Sequence, residues 1–272
     1  MRRRAALFAV LVVLTACAQC SNWKSEKNVL GDTGAKPAGT EAAATVDQII
    51  DRYVEAIGGP GASRGVTTIQ AKGTFELPEM KITGSLEFYA KVPNKSGTIV
   101  RTPDDSIFVI QAFDGTVGWE RSLRSEEGRI AVRQIKGAEL NQLSLDSDFH
   151  REFKLKEIYP RMTLKGRVKV DDRDAQAIEA VPNAGSRETL YFDVQTGLLV
   201  RRDMTAYLPT GETPSEVYFD DYKPVTGASG LKIAYTRTII FPEGTEGNTI
   251  LRFKEARANV QLNDSTFSMP RQ

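Results

Sequence analysis

Few side chains of this sequence have the type and spacing that catalysis or metal binding requires. His150 is the sole histidine among the 272 residues, and Asp146, Asp148 and Glu152 lie close to it in sequence. On a helix, Asp146 and His150 would share a face at positions i and i+4 and could contribute to a metal site. A solvated helix end explains the same residues more simply, so we expect no metal and no cofactor.

Enzymatic mechanisms find little support elsewhere in the chain. With a single histidine, a Ser-His-Asp triad would depend wholly on His150, and no His-Glu-x-x-His motif is present. Carboxylate pairs for glycoside cleavage stay open, because they need proximity in space rather than in sequence. We therefore expect a protein that is not an enzyme.

The most informative chemical residue is Cys17. Three arginines and an apolar run over residues 5–14 precede it, which is typical of a secretory signal peptide and too short to span a bilayer. Leu14-Thr15-Ala16-Cys17 resembles a bacterial lipobox, where cleavage precedes a cysteine that carries a diacylglycerol. The alternative is an ordinary cut after Ala18, which would release a soluble protein. We expect a lipoprotein signal peptide over residues 1–16 and lipidation of Cys17.

Composition defines the remaining organisation. Residues 17–44 have few large apolar side chains, so we expect a lipidated flexible tether there and one folded domain over residues 45–272. The net charge of +1 gives no electrostatic reason to expect nucleic acid as a partner. Cys17 and Cys20 are the two cysteines, so the domain has no disulfide and no thiolate metal site.

Apolar periodicity predicts one helix followed by many strands. Val46, Ile49, Ile50, Tyr53, Val54 and Ile57 form one helical stripe, and Thr45 with Gln48 fits a capping box. From Val66 onward the period changes to two, which predicts antiparallel strands with one apolar face. Two strands run up to Ala90, and turn signals separate further candidates near 96–102, 106–113, 116–123, 129–135, 163–171, 174–181, 187–193, 198–207, 214–222, 231–241 and 248–260.

One interruption, residues 137–153, predicts a second, short helix or a mostly helical crossover. So many strands must curl, and a curled sheet needs its concave face filled. The predicted fold is therefore mainly β with two helices (α+β): a curled antiparallel sheet, or open half-barrel, with helices on the concave side.

The order of elements and several local motifs resemble the LolA/LolB family of bacterial lipoprotein carriers and receptors. These motifs are Lys91-Val92-Pro93-Asn94-Lys95, Phe113-Asp114-Gly115 with Trp119, Leu190-Tyr191-Phe192-Asp193 with Thr196-Gly197-Leu198-Leu199, and Asp264-Ser265 with Phe267 and Pro270. The resemblance covers roughly residues 45–270. It implies an open barrel that holds acyl chains between the sheet and a helical lid, without covalent chemistry. A lipid anchor is typical of the family's outer-membrane receptor, whereas the carrier is soluble.

Two functions follow as expectations. The first is a monomeric envelope lipoprotein that binds acyl chains or lipoproteins in a hydrophobic cavity for transfer between membranes. Its cavity candidates, each of which could equally be ordinary core, are Phe75, Leu86, Phe88, Trp119, Ile233, Tyr235 and Ile239. The alternative is a non-catalytic module that docks an envelope partner. Ala18, where an aspartate would retain some lipoproteins at the inner membrane, favours the outer membrane.

Overall fold

The structure is a computed structural model that describes residues 44–124, 129–208, 211–242 and 247–271. Its first element is helix α1 (Val46–Ala56), which begins with the predicted capping box. The Thr45 hydroxyl accepts a hydrogen bond from the Gln48 amide, and the Gln48 side chain accepts one from the Thr45 amide. These bonds satisfy amide groups that a helix N-terminus otherwise leaves unpaired.

A single antiparallel sheet makes up most of the described chain. Its strands are β1 (Thr68–Leu77), β2 (Ile82–Lys91), β3 (Lys95–Arg101), β4 (Phe108–Phe113), β5 (Gly118–Arg124), β6 (Arg129–Ile135), β7 (Arg161–Val170), β8 (Arg173–Val181), β9 (Glu188–Asp193), β10 (Leu199–Leu208), β11 (Gly211–Pro224), β12 (Lys232–Ile240) and β13 (Thr249–Ala258). The spatial order is β6-β5-β4-β3-β2-β1-β13-β12-β11-β10-β9-β8-β7. Strands β6 and β7 are the two edges, so the half-barrel is open, as predicted.

Glycines on β1 and β2 permit close backbone approach where the sheet bends. The register between β1 and β13 shifts at Gly73, and a Cβ atom there would lie 1.8 Å from the Arg252 carbonyl oxygen. On β2, a Cβ atom at Gly84 would lie 2.4 Å from the Phe75 ring. A bulge of this kind bends a strand and increases its twist, which helps the sheet curl.

The largest apolar cluster lies on the concave face of the central strands. Phe75, Leu86, Val100, Ile239 and Leu251 belong to it, each at most 4% exposed. A second cluster joins the buried stripe of α1 to strands β8–β10. The strand alternation that predicted one apolar face is thus confirmed by the packing.

A crossover segment, residues 137–158, connects β6 to β7. It contains α2 (Gly137–Asp146), a 3-10 turn (Arg151–Phe153) and α3 (Leu155–Ile158). The sequence predicted one helix within residues 137–153, and the four-residue α3 is an addition that is too short to produce a periodic signal. Within the described part of the chain, the helices are too short or too polar to cross a membrane.

Candidate functional site

A cavity of about 180 Å³ lies between the concave face of the sheet and the crossover segment. One wall is apolar and comes from strands on both sides of the β1–β13 pairing. Apolar side chains of the crossover segment face this wall. The apolar lining includes Ile69, Phe88, Ile239, Leu251, Phe219, Leu143 and Phe149.

The opposite wall carries a buried ion network, formed by Asp146, Arg151, Glu188 and Arg202. The Glu188 side chain is 1% exposed and lies 3.2 Å from the Arg151 guanidinium and 3.0 Å from that of Arg202. Asp146 accepts a hydrogen bond from Arg202 at 2.9 Å and lies 3.6 Å from Arg151. Two cations therefore face two carboxylates, so the charges of the network balance.

Neutral groups complete the hydrogen bonding of Glu188. Tyr159 donates its hydroxyl to the Glu188 carboxylate at 2.5 Å, and the Gln142 amide donates at 3.2 Å. Burial raises the pKa of Glu188, but the charges of Arg202 and Arg151 outweigh that effect and hold it below its usual value. Glu188 is therefore a structural anion, and its hydrogen bonds leave it little capacity to exchange a proton.

The ion network holds the crossover segment on strands β9 and β10, which belong to the half of the sheet formed by strands β7–β13. Asp146 and Arg151 belong to the segment, whereas Glu188 lies on β9 and Arg202 on β10. Attachment to the other half, strands β1–β6, includes an ion pair of 2.7 Å between Arg133 on β6 and Glu139 on α2. The apolar side chain of Leu143 and a hydroxyl contact of 2.6 Å between Ser96 and Ser147 add to it. Charged and polar contacts thus hold the crossover segment on both halves of the sheet.

Arg237 is a third arginine of this cavity and differs from the other two. It lies on β12, directly opposite Phe219 on β11 and Leu251 on β13. Its guanidinium lies 6.0 Å from the Phe219 ring centre and 5.7 Å from that of Phe253. Burial lowers the pKa of Arg237, and its Nε has no hydrogen-bond partner among the described residues.

The predicted cavity residues lie in three kinds of position. Phe88 and Ile239 line the cavity. Phe75, Leu86 and Tyr235 are buried in the apolar cluster beside it, and Ile233 packs against that cluster while remaining partly buried. Ligand binding by these residues stays a prediction.

Trp119 lies on the other face of the sheet. Its neighbours in register, Gln111 and Glu120, pair on the concave side, so the Ala112–Trp119 pair points to the convex side. The indole N–H donates a hydrogen bond of 2.7 Å to the Phe267 carbonyl oxygen. Trp119 therefore anchors the C-terminal segment, because a tryptophan N–H needs an acceptor when buried.

The C-terminal segment is also held by charge. Asp264 lies 2.7 Å from the Lys91 ammonium and 2.9 Å from that of Lys95. Hydrogen bonds from these two lysines lower the pKa of Asp264 to about 2. The motif Lys91–Lys95 and the motif that begins at Asp264 are thus in contact, although they lie far apart in the sequence.

The histidine follows α2 instead of sharing its face. Helix α2 ends at Asp146, whose carboxylate is directed to Arg202, and the His150 amide donates to Asp148 at 2.9 Å. Burial and Lys154 lower the pKa of His150. Within the described ranges, no three His, Cys, Asp or Glu side chains come close enough to hold a metal ion.

One sequence motif has the spacing of a hydrolase nucleophile elbow, Gly61-Ala62-Ser63-Arg64-Gly65. The motif requires a serine on a sharp turn between a strand and a helix. Here these residues form turns that follow α1 and precede β1. The local structure is therefore not that of a nucleophile elbow.

Sequence reasoning missed the buried polar residues, although a signal for some of them exists. Arg237 occupies the inward register of β12, between Tyr235 and Ile239. Glu188 and Arg202 likewise continue the inward register of their strands. A charged residue in the middle of an apolar strand face indicates a buried polar group that needs a partner.

Solved structures of other proteins share this architecture. No family model matches the chain, and no curated protein matches it. A DUF1329 family protein from Desulfovibrio piger is 17% identical, with a TM-score of 0.54 over 82% of this chain and 97% of that one. A LolA superfamily protein from Nitrosomonas europaea is 11% identical, with a TM-score of 0.51 over 84% of this chain and 99% of that one. The chain has a LolA-like fold.

A third solved structure agrees with this assignment. A domain from Vibrio parahaemolyticus, named for outer membrane lipoprotein sorting, is 15% identical, with a TM-score of 0.52 over 80% of this chain and 95% of that one. At such identities the likeness concerns the fold. Within the LolA-like fold, the cavity described above lies between the open sheet and its helical crossover.

Proposed function

We propose that this protein is an envelope lipoprotein that binds an acyl chain in the cavity between its sheet and its crossover segment. It would use that cavity to transfer or sort lipids or lipoproteins between membranes. The observation that carries the proposal is an apolar-walled cavity at the centre of an open half-barrel with a LolA-like fold.

The apolar wall supplies the binding energy for a chain. Ile69, Phe88 and Leu251 come from three adjacent strands and form a continuous surface. Each methylene removed from water contributes about 0.8 kcal/mol, so roughly six methylenes gain about 5 kcal/mol before the entropy of ordering is subtracted.

The cavity volume indicates how much of a lipid enters. At about 180 Å³ it is smaller than typical small-molecule sites, which span roughly 300–1,000 Å³. One chain, or the end of one, fits the cavity as it stands. A lipid with several chains would require the crossover segment to separate from strands β1–β6, where Glu139, Leu143 and Ser147 attach it.

Membrane attachment is the second part of the proposal. The signal peptide, Cys17, Cys20 and the tether up to residue 43 lie outside the described residues. If Cys17 is lipidated and about 24 residues of the predicted tether behave as a flexible coil, the domain would lie on average roughly 25–30 Å from the anchor. That distance suits a domain that receives its ligand close to the membrane on which it resides, and Ala18 favours the outer membrane.

The alternative, a module that docks a partner through its convex face, has less support. Ile130 and Val168 are the exposed large apolar side chains among the described residues. They lie on β6 and β7, at opposite edges of the sheet, and do not form one patch.

The test is ligand uptake by the full chain carrying Cys17→Ser, a change that removes the predicted lipid attachment and permits purification without detergent. Native mass spectrometry should detect a co-purifying amphiphile or added decanoate. Ile239→Asp, which puts a charge on the cavity wall, should abolish uptake. Val168→Asp makes the same kind of change at an exposed edge position and should leave uptake intact.

Circular dichroism of both variants should show that each is folded. If the chain with Cys17→Ser and no cavity substitution takes up neither a lipid nor decanoate, lipid binding is refuted.

A further inference from the structure

We propose that Arg237 binds the anionic headgroup of the ligand, so that the cavity selects a single-chain amphiphile bearing a carboxylate over an uncharged lipid. The inference rests on the proposed function and specifies the class of ligand. It follows from the surroundings of Arg237, the size of the cavity and the chemistry of the guanidinium.

The surroundings of Arg237 are apolar on both sides. Its direct cross-strand neighbours are Phe219 and Leu251, and all three line the cavity. Contacts with the faces of Phe219 and Phe253 stabilise the cation in part. Aromatic faces do not replace the hydrogen bonds that a guanidinium has in water.

No carboxylate forms an ion pair with Arg237 in the described part of the chain, and its Nε, like those of Arg151 and Arg202, has no hydrogen-bond partner there. The nearby arginines contrast with it, since Arg151 and Arg202 both lie against Glu188. Glu152 interacts with Arg237 by charge at a distance, but its carboxylate accepts from Tyr53 at 2.7 Å and from Arg151 at 3.2 Å. Among the described residues, Arg237 is thus the arginine of this cavity that has no carboxylate within ion-pair distance.

Arg237 is partly buried, and a charge that loses water without gaining an opposite charge is costly; an opposite charge on a ligand recovers that cost. The planar guanidinium fork matches the two oxygens of a carboxylate, and such charge-assisted hydrogen bonds are about twice as strong as neutral ones. A ligand with its carboxylate at Arg237 would place its chain along Ile239, Leu251 and Ile69.

A second buried donor also lacks a partner. Gln111 is 2% exposed and lines the cavity on β4, and its Nε2 has no acceptor among the described residues. Gln111 is neutral, so it does not distinguish an anion from an alcohol. Arg237 is therefore the residue that confers charge selectivity, and the volume of about 180 Å³ restricts the ligand to one chain.

The test compares decanoate, decyl phosphate and decanol, which share one chain and differ in the headgroup. Binding to the full chain with Cys17→Ser is measured by native mass spectrometry and titration calorimetry at pH 8. We expect decanoate to bind at least about tenfold more tightly than decanol, a difference of about 1.4 kcal/mol. Arg237→Met should remove this preference, and Arg237→Lys should retain part of it.

The matched control is Arg252→Met, the same substitution at a half-exposed arginine that pairs with Glu76 at 3.1 Å. It should leave all three affinities unchanged. Arg237→Met should bind decanol as the parent does, which also shows that the variant is folded. Loss of decanoate binding with retained decanol binding is thus the specific signature of the proposal.

Other outcomes overturn the inference. If Arg237→Met binds decanoate as tightly as the parent, Arg237 is not the headgroup site, although the cavity still binds chains. A tenfold preference for decyl phosphate over decanoate would show that the site takes a phosphate ester and not a carboxylate. If the parent binds none of the three amphiphiles, the proposed function fails and the inference with it.

Discussion

Replacing Glu188 with glutamine tests whether the buried ion network holds the crossover segment on the sheet. The substitution keeps the size of the side chain and removes one of two carboxylates that face Arg151 and Arg202. The two cations then keep Asp146, and Arg151 also keeps its pair with the more exposed Glu152 at 3.2 Å. Removing one partner of a buried ion pair costs about 3–5 kcal/mol, because an uncompensated charge stays buried.

The magnitude is measurable by thermal and urea denaturation. For domains of 150–250 residues, 1 kcal/mol shifts the melting temperature by roughly 2–4 °C, so Glu188→Gln should lower it by about 6–20 °C. The control is Glu216→Gln, which removes the charge of a partly exposed carboxylate 2.6 Å from Arg201. Exposed pairs contribute about 0–1 kcal/mol, so the control should change the melting temperature little.

Two further results decide the interpretation. Adding Arg202→Met to Glu188→Gln restores charge balance and should recover part of the lost stability. The lowered pKa of Glu188 means that its contribution is full above the unfolded-state pKa of about 4.3 and is lost as pH falls through the folded-state value. Equal destabilisation by Glu188→Gln and Glu216→Gln would refute the reasoning.

Two other predictions concern the sheet and the C-terminal segment. Gly73→Ala should destabilise the protein by about 1–3 kcal/mol in urea denaturation, because its Cβ would lie 1.8 Å from the Arg252 carbonyl oxygen. The carboxyl carbon of Asp264 should titrate near pH 2 by NMR, since Lys91 and Lys95 hold it ionised. Its stabilising effect is present above the unfolded-state pKa of about 3.9 and is lost as pH falls towards 2.

Gly61 provides the control for the substitution at Gly73. Gly61→Ala, at a site with no heavy atom within 4 Å of the added methyl group, should be nearly neutral. If Gly73→Ala is equally neutral, β1 and β13 are farther apart than described. A titration of Asp264 near pH 4 would show that the lysines do not bind it.

The strands could be predicted because burial on one face leaves a period of two in the sequence. Each predicted strand between residues 66 and 260 corresponds to a strand of the structure, including β9 and β13. Local pattern also sufficed for α1, whose capping box and apolar stripe lie within a dozen residues. Helix α3 was missed because four residues cannot show helical periodicity.

The site depends on contacts between distant residues, which local pattern does not contain. Arg151 binds Glu188 across 37 positions, and Arg202 binds Asp146 across 56. Neither partner can be chosen from the sequence without the fold. Arg237 was identifiable as a charge in an apolar register, but whether a carboxylate faced it required the structure.

The pairing of β1 with β13 has a consequence for how the chain folds. Other neighbouring pairs among the described strands join consecutive elements, whereas Ile69 on β1 lies opposite Ala258. Closing so long a loop costs entropy before its contacts form, so strands β1–β6 and β7–β13 should each assemble first and join later. Ile69 and Ile239 come from the two halves, and the cavity therefore exists only once the halves have joined. A newly made chain should therefore form this cavity late in folding.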